Sequence, residues 1–98
     1  MIVVTGSIVG TPATVDELLA LSVAHVRRSR TEPGCLSHAV HRDAENPLRL
    51  VFVETWMDRP ALLAHFAVPA SRGFVDAATA LAAEPPVIAI YDAEPWTS

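Results

Sequence analysis

The sequence predicts an α+β domain with a four-stranded antiparallel sheet of the ferredoxin-like type, built as β-α-β-β-α-β over residues 1–98. Three observations carry this. Apolar, β-branched runs near the two ends, Ile2 to Val9 and Val87 to Asp92, read as strands. The polar, turn-rich stretch Asp43 to Pro47 separates two further strand-like runs and joins them as a hairpin. Two stretches with apolar residues at helical spacing lie between the hairpin and the outer strands.

The first strand, Ile2 to Val9, ends at the breaker cluster Gly10-Thr11-Pro12. Its two faces are both uncharged, so both are expected to be covered. Thr14 and Glu17 stand at capping-box spacing and start a helix that runs to about Thr31. Val15, Leu19, Ser22, Val23 and Val26 form its inner stripe, flanked by Leu18 and His25. Glu32-Pro33-Gly34 stops it, because proline cannot continue the ladder and glycine tolerates positive φ.

Cys35 to Arg42 is the second strand, with Leu36, His38 and Val40 on one face and Cys35, Ser37, Ala39 and His41 on the other. The third, about Leu48 to Met57, places Leu50, Phe52, Glu54 and Trp56 together. Asp58 caps the next helix, about Arg59 to Ala67, with Pro60 in its first turn, where a missing N–H does no harm. Pro69 begins a further helical segment to Ala83, with Phe74, Val75, Ala78, Leu81 and Ala82 as its apolar set. Helices can cover only one face of this sheet, yet most strands are apolar on both. A second copy of the chain covering the other face resolves this.

Composition agrees. The chain is 51 % hydrophobic and only 18 % charged, more apolar material than a small monomer hides, and a two-fold homodimer is expected. The formal net charge of −4 argues against a nucleic-acid partner. All seven cations are arginines, and Arg27, Arg28 and Arg30 cluster at a helix end, where they suit its dipole. No apolar run reaches the ~20 residues of a membrane span, and the apolar N-terminus lacks the basic flank of a leader. The single cysteine, Cys35, fits a reducing compartment, so the cytoplasm is the expected location.

No glycine-rich nucleotide fingerprint, P-loop, paired-cysteine or nucleophile-elbow motif is present, so neither a nucleotide cofactor nor structural zinc is expected. The chemistry-bearing residues are the four histidines, Glu54, Trp56, Tyr91 and Cys35. Three residues apart on a strand, His38 and His41 point to opposite faces. His25, His38 and His65 could share one pocket, and even one metal, if their elements converge, but their spacing does not demand it, and no metal is assigned. Glu54 is a carboxylate in an apolar strand, costly unless paired. Its candidate partners are Arg49, Arg72 or an arginine of a second copy, so it serves either the pocket or the dimer interface.

Glu32-Pro33-Gly34-Cys35-Leu36, then Glu54-Thr55-Trp56 and the downstream His65, resemble the antibiotic biosynthesis monooxygenase family of dimeric α+β barrels. The resemblance covers nearly the whole chain. It implies a pocket between helices and sheet in each subunit. Characterised members oxidise aromatic polyketides with O₂ and no cofactor, degrade haem or isomerise small metabolites, so fold does not settle activity. The haem-degrading branch uses an Asn on the first strand and a Trp near Phe66, and this chain has neither.

What the resemblance implies here is a cofactor-free monooxygenase acting on a small aromatic phenol with O₂. His65 and His38 are the expected catalytic pair, with His25, Trp56, Phe66 and Glu54 as substrate contacts. The alternatives on the same fold are a non-catalytic binding or stress-response module and a cofactor-free isomerase.

Overall fold

The computed structural model describes residues 1–97. Its elements are β1 (Ile2–Val9), α1 (Val15–Ser29), β2 (Cys35–Arg42), β3 (Arg49–Trp56), α2 (Arg59–Ala67), α3 (Pro69–Leu81) and β4 (Val87–Asp92). The strands lie in the order β2-β3-β1-β4, each pair antiparallel, which is the expected ferredoxin-like sheet. Ile2, Val4 and Ile8 of β1 and Leu50 and Trp56 of β3 point to the helices and are buried. They divide into two apolar clusters: Ile2, Val4, Trp56 and Leu62 at one end, Ile8, Leu18, Leu50 and Ala78 at the other. Glu54 falls between these clusters along β3, on the same face.

Several local expectations are corrected. Thr14 does not form a capping box. Its hydroxyl donates to the Leu81 carbonyl (2.8 Å) and accepts from the Thr11 N–H (2.9 Å), so it ties the start of α1 to the end of α3. The buried stripe of α1 is Val15, Leu18, Ser22, His25, Val26 and Ser29, rotated from the expected one, with Leu19 and Val23 at its margin. Ser22 and Ser29 are tolerated there because their hydroxyls donate to the carbonyls of Leu18 and His25, each 2.7 Å away.

In β2 a bulge between Cys35 and Ser37 breaks the alternation. Cys35 turns inward against the Trp56 cluster and Leu36 turns outward, while His38 stays inward opposite Glu54. Asp58 does cap α2, accepting from the Ala61 N–H at 2.9 Å.

Candidate functional site

A cavity of about 480 Å³ opens between the sheet and the helices. Val4, Gly6 and Ile8 of β1 and Phe52 of β3 line its sheet side, and Phe66, Phe74 and Val75 line its helix side. At one end of this apolar space stand His25 from α1, Glu54 from β3, and His65 from α2, with Ser71 from α3. Arg72 and Asp76 add charged groups to the lining.

Three histidines from three elements meet here. One ring nitrogen from each of His25, His38 and His65 lies within 4.8 Å of those of the other two. Sequence spacing left this convergence open, because it depends on α1 and α2 both packing over the His38–Glu54 register pair. Three imidazoles make a donor set that suits zinc or copper. The Arg28 guanidinium, 2.7 Å from Nδ1 of His25, opposes a cation there.

Glu54 is held by its neighbours. The Trp56 indole N–H donates to its Oε1 at 2.8 Å, and His38 Nε2 lies 3.0 Å from its Oε2. That second contact is in ion-pair range, with the ring N–H angled off the oxygen. Burial alone pushes the Glu54 carboxyl up. The close His38 contact and its charge, the indole N–H and His65 outweigh it and hold the group below the usual carboxylate range. Among the described residues no arginine of this chain pairs with Glu54, so the expected Arg49 or Arg72 partner is corrected: Arg49 pairs with Asp43 in the hairpin. Glu54 faces the helices and the cavity, not the open face of the sheet.

His38 is 2 % exposed, does not line the cavity, and has both ring nitrogens sealed from solvent. It stands behind the lining, its ring centroid 5.3 Å from that of His25 and 5.6 Å from that of His65, so of the expected His65–His38 pair only His65 lines the cavity. Trp56 is likewise corrected as a wall. It is 0 % exposed, its ring 4.6 Å from that of His65, and it supports the site from behind. Phe66 and His25 do line the cavity, and the His25 ring stacks flat on Phe74, 4.1 Å between centroids.

Three polar contributors escaped the sequence reading. Glu32 Oε1 accepts from His65 Nδ1 at 2.9 Å. Arg28, expected at a solvated helix end, turns inward to His25 and also donates to Ser71 Oγ at 3.1 Å. Ser71 stands 3.5 Å from His65 Nδ1. Of these, Arg28 carried a signal in its i, i+3 spacing from His25 along one helix face, and Glu32 opened the Glu32–Leu36 stretch without being read as a site residue. Burial drives the His25 pKa down to about 3, helped by the neighbouring charges of His38, Arg28 and His65, so the ring is neutral at ordinary pH.

A family model described as antibiotic biosynthesis monooxygenase matches residues 1–77. A solved antibiotic biosynthesis monooxygenase superposes with a TM-score of 0.89 at 30 % identity, covering 97 % of this chain and all (100 %) of that one. A Deinococcus radiodurans structure, described with reserve as a member of the same group, superposes at 0.94 with 25 % identity, covering 100 % and 97 % of the two chains. An uncharacterised protein of Synechocystis sp. is 39 % identical over 90 residues, 92 % of this chain. The chain spans 61 % of that relative's length.

Proposed function

The chain belongs to the antibiotic biosynthesis monooxygenase family, and from that premise we propose that it is a cofactor-independent monooxygenase oxidising a small, electron-rich aromatic phenol with O₂. The observation that carries this reading is the pairing of an apolar, phenylalanine-lined cavity of about 480 Å³ with imidazoles at one end. A volume of that order suits a compact aromatic molecule.

His65 is the base. Glu32 orients its ring and stabilises the imidazolium that forms when it takes the phenolic proton. The phenolate then passes an electron to O₂. The resulting radical pair recombines at ring carbon, and the peroxide collapses to a quinone. One oxygen atom enters the ring and the other leaves as water, whose two hydrogens come from the hydroxyl and the ring C–H. Glu54, His38 and Trp56 position the imidazole end. The protein works as a homodimer in the reducing cytoplasm, each subunit holding one cavity.

Oxygen uptake with a panel of anthrones and hydroquinones tests the reading. His65→Gln should lower kcat/KM about a hundredfold or more if the imidazole is the base. No O₂ consumption across the panel would leave the binding-module and isomerase alternatives and remove this one.

A further inference from the structure

His25 and His65 both line the cavity, and each has Nδ1 engaged by a group of fixed hydrogen-bonding character. A guanidinium only donates, and a carboxylate only accepts. Arg28 therefore makes His25 Nδ1 an acceptor, and the proton of that neutral ring sits on Nε2. Glu32 makes His65 Nδ1 a donor, and the lone pair of that ring sits on Nε2. The two rings present opposite faces of the same chemistry: one N–H and one bare nitrogen. Neither Nε2 is among the buried, unpartnered atoms, whereas both nitrogens of His38 are.

We infer that His25 and His65 form a complementary pair that reads a single neutral aromatic hydroxyl, His65 accepting its proton and the His25 N–H donating to its oxygen, with Glu32 and Arg28 as the positioning residues that set the two tautomers. A hydroxyl oxygen about 2.8 Å from each of two nitrogens, with a near-tetrahedral angle between the bonds, holds them about 4.6 Å apart. One ring nitrogen of His25 and one of His65 lie within 4.8 Å of each other, a span that a single oxygen bridges. Once the proton has moved, His25 holds the phenolate oxygen as a neutral donor that needs no rearrangement. The His25 ring is neutral above pH ~3, so it supplies a hydrogen bond without becoming a competing acid.

The inference deepens the oxygenase reading and rests on it for the identity of the ligand, but the tautomers can be measured without any ligand. Long-range ¹H–¹⁵N NMR of the ligand-free protein should show His25 protonated at Nε2 and His65 at Nδ1. His25 protonated at Nδ1, or both rings in the same form, overturns the proposal even if oxygen uptake is found. Binding is probed with 2-naphthol and its methyl ether, which cannot give up a proton. The wild type should prefer the naphthol about tenfold, the scale of one or two good hydrogen bonds. Arg28→Met should lose that preference and shift the His25 nitrogens, whereas Arg28→Lys, which still donates, should keep both.

Equal affinity for the two probes overturns the pair. So does stoichiometric Zn²⁺ binding that moves all three histidine rings, because a metal needs a lone pair where the pair places a proton. The expected tautomers and naphthol preference without oxygen uptake would uphold the pair and remove the oxygenase reading.

Discussion

Glu54 shows at the scale of one residue how a buried charge becomes tolerable. Its two oxygens face the Trp56 indole N–H and His38 Nε2, so Glu54→Ala strands a buried donor and an imidazole together. That should cost about 3 kcal/mol or more, and Glu54→Gln, which keeps one acceptor, about 1–2 kcal/mol. Urea unfolding at pH 7 gives both values, and equal losses would mean that Glu54 is not the anchor. His25 makes a pH prediction. Its folded pKa is about 3 against an ordinary 6.5, so below 6.5 the unfolded chain binds a proton that the folded chain refuses. Stability is therefore complete above pH 6.5 and falls as pH drops towards 3, at up to about 1.4 kcal/mol per pH unit. Glu54, lowered from 4.5, adds its own loss mainly below that value, so a His25 variant is what assigns the loss between 6.5 and 4.5. His25→Phe, which keeps the stack on Phe74, should flatten that interval in urea titrations run at pH 6.5, 5.5 and 4.5. His25, Glu54 and His65 stood out in the sequence because each interrupts an apolar pattern. Glu32 and Arg28 did not, because a charged residue near a helix end is ordinary until the fold turns it inward.

The elements were legible where local chemistry decides them and less so where tertiary contacts do. Asp58 and Pro60 mark the start of α2 by their own geometry, and the structure keeps both. Thr14 has the right spacing for a capping box but finds a better acceptor on α3, 67 residues away, and no local rule anticipates that. The bulge in β2 is similar. Strict alternation puts Leu36 inward, whereas the chain inserts it as the extra residue and sends Cys35 into the core. The turn before β2 is where local and tertiary requirements meet. Gly34 has φ of 81°, and a Cβ added there would stand 2.5 Å from the Ala61 Cβ. Gly34→Ala therefore meets both backbone strain and a collision with α2, and should cost about 1–3 kcal/mol. Adding Ala61→Gly removes the collision but not the strain. The double variant should then be less destabilised than the sum of the two single losses, a coupling that thermal or urea unfolding of all four proteins measures. Strict additivity would show that the φ angle alone makes glycine necessary.

At the scale of the whole molecule, the sheet has one face under helices and one without cover. The sequence already pointed here, since strands apolar on both sides make sense only if both sides are hidden. On the open face Val87 is 63 % exposed, Tyr91 55 % and Val53 40 %. β4 adds to this, because the helices do not reach across it and Ile88 and Ile90 also stay exposed on the inner side. Exposed apolar residues gathered on one sheet face of a chain of 98 residues mark a docking face more often than a solvated one. A second copy, its own sheet turned to meet this one, would bury the same residues on both partners, as two-fold symmetry requires. The prediction is a mass by light scattering of twice the 10.5 kDa chain at micromolar concentration. Val53→Glu puts a charge in the middle of the face and should shift the population towards monomer while lowering the unfolding midpoint. Leu63→Glu, on an exposed position of α2 away from the sheet, should leave the mass unchanged and serves as the control. A wild-type monomer would sink the dimer outright. An unchanged mass in Val53→Glu would move the interface off the open face of the sheet, to the uncovered edge at β4.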